Sequence, residues 1–410
     1  MLVSAANKVR CRLCGNPELS LLVDLGPQPI AHRFLERPET EFKHPLKLHF
    51  CDHCGLGQIC DPIAPEILYK GYNYCFSAWK PEPHRETELD LICAHRQSAR
   101  IFEIGCNDGL FLEQLTLRGQ QLCVGLEPNS FAKKIATEVR GLHVYETFLD
   151  ETTCQHALQQ FGKFDLVMAR QVLEHVPDIE LFFKCVHLLL ADDGLVFIDV
   201  PDVEPGLRMG DCTIAWEEHV NYFTQNVLVR ALDRFGFTPV EQRQFNYSGG
   251  TLAVLARRKT PSDKFDATWE CLPLAKSFSA RVRAYREELA AALTKAGKMF
   301  DHIVIYGVGC RACALVNGLD LSGVIDFAVD DQIERQGKLM PGSQMAIKSP
   351  QELARPGLKF LVILAVNQEN EAKVKAKTLA ACPQSHVTFL TVFCPADIQA
   401  ELAALVNFLS

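Results

Sequence analysis

Four cysteines in two pairs, Cys11-Arg12-Leu13-Cys14 and Cys51-Asp52-His53-Cys54, carry the sharpest chemical signal in the 410 residues. Two residues between cysteines let both thiolates of a tight turn reach one metal ion. Two such turns supply the four sulfur ligands of a tetrahedral zinc site. Gly15 and Gly55 follow the pairs, where a knuckle needs a permissive backbone. Four sulfurs close the coordination sphere, so the expected zinc is structural, with His49 and His53 as bystanders. The 36 residues between the knuckles exceed a compact ribbon, and a small subdomain is expected there.

A second constellation runs Ile101-Phe102-Glu103-Ile104-Gly105-Cys106-Asn107-Asp108-Gly109, an apolar run passing through a turn into a helix. Gly105 and Gly109 let the backbone approach a ligand closely, with Glu103 and Asn107 beside them. Glu127 ends the next apolar run, where a carboxylate can accept both ribose hydroxyls of a nucleoside. No Lys-Ser/Thr pair follows the turn, so the nucleoside need not carry phosphates. A third group is Gln171-Val172-Leu173-Glu174-His175, and a fourth is Trp216-Glu217-Glu218-His219. An imidazole with an ordinary pKa of about 6.5 is a competent base at neutral pH, and an adjacent carboxylate can orient it.

Elements must hold these groups together. Residues 1–70 lack helical periodicity. Residues 71–260 alternate apolar runs with amphipathic stretches. The runs are 101–105, 122–127, 142–145, 164–169, 195–200, 238–243 and 251–256. This is the βαβ rhythm of a doubly wound α/β sheet, with an antiparallel hairpin from the last two runs. Residues 261–300 read as a linking helix, broken near Pro273. Residues 301–410 restart the alternation as a second, Rossmann-like α/β domain, with strands at 303–306, 324–329, 360–366 and 387–391. Gly307-Val308-Gly309 with Asp330 and Asp331 also admits an NAD-binding oxidoreductase, and Cys310-x-x-Cys313 a redox pair.

The net charge of −8 with scattered basic residues argues against a nucleic-acid partner. No apolar run reaches membrane-spanning length, and Met1–Arg10 has no signal-peptide core. Seventeen cysteines, an odd number, suit reduced thiols in the cytoplasm better than a disulfide framework.

The glycine turn, Glu127 and the Gln171–His175 stretch together resemble a class I methyltransferase that uses S-adenosylmethionine. The whole chain, from Cys11 to about Pro395, resembles the three-domain sugar C-methyltransferases acting on thymidine-diphosphate-linked 4-keto-deoxysugars. The matching residues are the two knuckles, Glu103–Gly109, Glu218-His219, Tyr72-Asn73-Tyr74, Gly307-x-Gly309 and Lys338-x-x-Pro341-Gly342. The resemblance implies that the glycine turn cradles the methionine part of the donor and that Glu127 takes its ribose. It implies that His219, partnered by Glu218, removes the proton at sugar carbon 3, with His175 and Tyr74 near the sugar. It also implies that the C-terminal domain embraces the nucleotide sugar. Where the family shows Tyr-His-Glu-His, this chain has Trp216-Glu217-Glu218-His219, and Cys75-Phe76 replaces small hydroxyl residues. Methylation of oxygen or nitrogen on a related sugar nucleotide is the alternative.

Overall fold

The computed structural model describes residues 9–69, 82–260 and 271–410, with backbone alone at 271–274. The N-terminal region is a small antiparallel sheet of β1 (Leu19–Pro29), β2 (Lys43–Cys51) and β3 (Gly57–Ile59). In β2, Leu46, Leu48 and Phe50 are buried at every second residue, the period of a strand with one face on a core.

The middle region holds β4 (Arg100–Ile104), β5 (Leu122–Leu126), β6 (His143–Tyr145), β7 (Phe164–Arg170) and β8 (Leu190–Pro201). These are followed by β9 (Asn221–Tyr222), β10 (Phe237–Phe245) and β11 (Thr251–Arg258). The seven-stranded sheet has the order β10-β11-β8-β7-β4-β5-β6. Strands β4 to β8 are parallel with helices between them, which buries both faces and explains their continuous apolar runs. β10 and β11 form the antiparallel edge hairpin, with β11 beside β8. The strand order reverses between β4 and β7, so the crevice beyond their carboxyl ends is the ligand-binding position of this architecture. β9 leaves this sheet and pairs with β3, becoming the fourth strand of the N-terminal sheet.

The C-terminal region is a parallel sheet of β12 (His302–Tyr306), β13 (Phe327–Val329), β14 (Ile347–Lys348), β15 (Lys359–Leu364) and β16 (His386–Thr391), in the order β14-β13-β12-β15-β16. Two expectations need correction here. The strand expected over 324–329 is confined to 327–329, because the amides of Val324 and Ile325 close a turn on the Leu321 carbonyl. The helix expected to break near Pro273 instead runs without interruption over Cys271–Ala296. Proline is tolerated in the first turn of a helix, and Pro273 stands in the first described turn. That helix is also more than a link. Phe278, Val282, Tyr285, Leu289, Leu293 and Ala296 repeat at helical spacing and are buried in a core shared with β1, β2 and the C-terminal sheet. A second core joins the zinc knuckles to the face of the seven-stranded sheet that carries Phe102, Val167 and Ile198.

Candidate active site

The four knuckle sulfurs converge. Cys11 Sγ lies 3.3 Å from Cys54 Sγ and Cys14 Sγ lies 3.5 Å from Cys51 Sγ, and all four lie within 4.8 Å of one another. Sulfurs about 2.3 Å from a tetrahedral zinc sit at such separations. The hydrogen bond with Cys51, followed by burial, pushes the Cys11 thiol up to about 12. A cation is what allows four crowded thiols, three buried and Cys14 half-buried, to ionise together. The cluster is wired to the middle region. Arg12, between two of the ligands, donates from Nη1 to Val220 O (3.0 Å) and from its backbone N–H to Gln58 Oε1 (2.9 Å), while β3 pairs Gly57 with Tyr222 and Gln58 with Asn221.

The turn after β4 is tightly determined. Gly105 sits at φ +71°, and a Cβ there would stand 2.5 Å from Val172 Cγ2, so both backbone conformation and the close pass of residue 172 demand glycine. The N–H groups of Gly105 and Cys106 both donate to Leu126 O, tying the turn to β5. Glu127, at the end of β5, accepts from Asn107 N (2.9 Å) and Asn129 N (2.7 Å). Burial raises its pKa to about 7, against the pull of those two backbone donors. Burial also raises Glu103 to about 8, opposed by Arg170, and Glu103 Oε2 is buried with no hydrogen-bond partner among the described residues. Arg170 pairs with Glu88 (3.0 Å) and Glu82 (2.8 Å).

Gln171, at φ +52°, donates from Nε2 to Asp199 Oδ1 at 2.6 Å. A left-handed non-glycine residue at the carboxyl end of a central strand is the kind of strain that gathers at ligand sites.

Beyond that turn a short helical turn, Leu173–His175, faces the segment before β9. Asn221 Nδ2 donates to Leu173 O and Val176 O, and Val220 N to Glu174 O, which lock the two segments together. The rings of His175 and His219 meet edge to face, with centroids 4.7 Å apart, and Trp216 packs on His219 at 3.9 Å. His175 Nδ1 is 2.8 Å from the Glu218 carbonyl, which can only accept. The proton of the neutral ring therefore sits on Nδ1 and the lone pair on Nε2. Burial lowers the His175 pKa, which favours that neutral form. Ligand atoms of Glu174, His175 and His219 lie within 4.8 Å of one another. The carboxylate of Glu218 is held by His32 of the N-terminal region, Oε1 to Nδ1 2.9 Å, while Glu217 Oε1 accepts from Ala31 N at 2.6 Å.

Three family models tile the chain. "Putative zinc binding domain" matches residues 11–69, "Methyltransferase domain" residues 86–242, and "C-methyltransferase C-terminal domain" residues 247–390. The C-methyltransferase NovU of Streptomyces niveus is 27% identical over 385 residues, covering 88% of this chain and 90% of the relative. The chain is an S-adenosylmethionine-dependent methyltransferase. Its domain plan is that of the C-methyltransferases. A ubiquinone biosynthesis O-methyltransferase of Escherichia fergusonii is 32% identical over 101 residues, 24% of this chain and 41% of that relative. Among solved structures, a Burkholderia thailandensis 1,6-didemethyltoxoflavin-N1-methyltransferase is 16% identical at TM-score 0.39, covering 52% of this chain and 99% of its own.

The methyltransferase's residues fit its methyl donor. The orphaned, buried Glu103 Oε2 suits an ammonium group, and each Glu127 oxygen keeps a lone pair for a ribose hydroxyl after taking its backbone N–H. Tyr74 lies outside the described residues. Within them, the methyltransferase brings His175, Glu218 and His219 to one place, and Glu103, Gly105, Asn107, Gly109, Glu127 and Gln171 to the carboxyl ends of β4, β5 and β7. Sequence reasoning missed His32 and the roles of Glu174 and Glu217. Glu174 and Glu217 stand in the sequence only as members of the Gln171–His175 and Trp216–His219 stretches, and nothing local marks His32. The Lys338-x-x-Pro341-Gly342 stretch meets the zinc-binding region: Lys338 Nζ is 3.0 Å from Glu36 Oε1, and Gly342 N donates to Glu41 Oε2 at 2.9 Å. Asp330 Oδ2 accepts from Val308 N (3.0 Å) and pairs with Arg335.

Proposed function

We propose that the methyltransferase methylates carbon 3 of a nucleotide-linked 4-keto-deoxysugar, with His219 as base and Glu218 as its partner. The observation that carries the reading is the placement of His219 between Trp216 and a neutral His175, beside the Glu217–Glu218 pair and beyond the donor turn. A ketone acidifies the neighbouring C–H. An imidazole free of net charge takes that proton, and a hydrogen-bond donor stabilises the developing enolate oxygen. S-adenosylmethionine, when bound, supplies an electrophilic methyl group. Glu103, Asn107 and Glu127 would hold it, with Gly105, Gly109 and Gln171 shaping the turn around it. The zinc is structural, the C-terminal domain holds the nucleotide part of the substrate, and the protein works in the cytoplasm, where its thiols stay reduced.

The test is proton exchange. In heavy water, with demethylated cofactor and a 4-keto sugar nucleotide, the wild-type protein should exchange the carbon-3 proton for deuterium. His219→Ala should abolish exchange yet bind the donor with wild-type affinity by calorimetry. NMR of product formed from labelled donor locates the methyl. Methyl on oxygen, with no exchange on any keto substrate, overturns the carbon-acid reading.

A further inference from the structure

The segment leaving β1 makes two contacts that neither the donor turn nor the metal cluster requires. Ala31 N–H donates to Glu217 Oε1 at 2.6 Å, and His32 Nδ1 lies 2.9 Å from Glu218 Oε1, across 186 positions of sequence. We infer that His32 is a positioning residue for the Glu218 carboxylate, so that the zinc-binding domain supplies part of the active site. The inference rests on the assignment of Glu218 and His219 as the acid/base pair.

Glu217 and Glu218 are consecutive, and both are buried. Two neighbouring carboxyl groups shielded from water each need a hydrogen-bond partner to keep a fixed orientation. The chain answers with two consecutive donors, one from the Ala31 backbone and one from the His32 ring. A carboxylate oxygen only accepts, so Nδ1 of His32 carries the hydrogen of this bond.

The donors are themselves held. Arg33 N closes a turn on Ile30 O, Cys313 Sγ donates to Ala31 O, and Leu35 forms a two-way backbone bridge with Leu339 of the C-terminal domain. Residues 31–35 are thus clamped between the catalytic segment and the C-terminal domain. That clamping makes the His32 contact preorganised rather than a chance surface pairing. Without His32, Glu218 would swing away from Glu217 and stop orienting His219. Donor binding at the β4 turn would be left intact.

The test compares His32→Ala with His32→Asn, whose side-chain amide can still donate to Glu218. His32→Ala should lower kcat about tenfold, the scale of one charge-assisted hydrogen bond. The KM for donor and the zinc content should stay at wild-type values. His32→Asn should recover kcat to within about threefold of wild type. Wild-type kcat in His32→Ala, or a His32→Asn protein as slow as His32→Ala, overturns the inference. A second arm needs no turnover. In protein with 15N-labelled histidine, the His32 ring signal, identified by its loss in His32→Asn, should shift in Glu218→Gln. An unmoved signal also overturns the inference. A wild-type protein that exchanges no carbon-bound proton defeats the assignment of the base instead, and the NMR arm still decides the contact.

Discussion

Donor affinity should depend on pH through Glu127. Burial holds its carboxyl at about 7, and ribose hydroxyls need an ionised acceptor. Binding should therefore weaken by about tenfold between pH 8 and pH 6, and Glu127→Gln should flatten the profile. Calorimetry across that range measures it, and an unchanged wild-type affinity at pH 6 refutes the ribose assignment. The same residues set a stability trend of defined sign. Glu103 and Glu217, each pushed to about 8 chiefly by burial, and Glu127 hold protons in the folded chain that the unfolded chain releases above about 4.5. Between those limits the folded state binds more protons, so their contribution to stability falls as pH rises. At this scale the sequence was legible where chemistry follows spacing. The cysteine pairs and the Glu103–Gly109 turn are local patterns, and the structure places each as one unit. His32 belongs to no local pattern, because its partner is brought to it only by the fold.

At the scale of elements, β3 and β9 join the cysteine cluster to the segment that carries His219. Gly57 and Gln58 of β3 pair with Tyr222 and Asn221, three and two residues after His219, and Arg12 between Cys11 and Cys14 braces Val220 O. One zinc per chain is expected by elemental analysis. Its removal by a strong chelator should release β3 and with it the protection of residues 219–223. Hydrogen exchange read by mass spectrometry should show faster exchange in that peptide while peptides of β4 and β7 keep theirs. Equal protection with and without zinc would mean that the metal does not support the segment around His219. Strands β4 to β8 were readable because strands covered on both faces need uninterrupted apolar residues. β9 and β14, two residues each, carry no periodicity to read. Pro273 misled because a proline signals a break only in a helix interior, and here it sits in the first described turn.

At the scale of the molecule, one buried ion pair binds the C-terminal domain to the methyltransferase domain. Arg311 Nη2 meets Asp211 Oδ2 at 2.7 Å, with the guanidinium also over the Phe393 ring and near the Cys394 carbonyl. Both residues are buried, so either truncation leaves a charge facing apolar surroundings, a loss of about 3–5 kcal/mol when one partner of such a pair is removed. The two losses should not be equal. Without Arg311, Asp211 still accepts from the backbone N–H of Thr213 (2.8 Å) and of Cys394 (2.9 Å). Without Asp211, the acceptors left to Arg311 among the described residues are neutral, Thr213 Oγ1, Cys394 O, Asn367 Oδ1 and Cys394 Sγ, and a guanidinium does not shed its charge. Asp211→Ala should therefore destabilise the protein more than Arg311→Met, by about 1 kcal/mol or more. The double variant should recover part of the Asp211→Ala loss, because it removes the stranded cation. Denaturant unfolding of the three proteins measures the order. Equal losses in the single variants, or a double variant as unstable as their sum, would mean that the domains are joined by the shared apolar core alone and that this pair adds nothing specific to their docking.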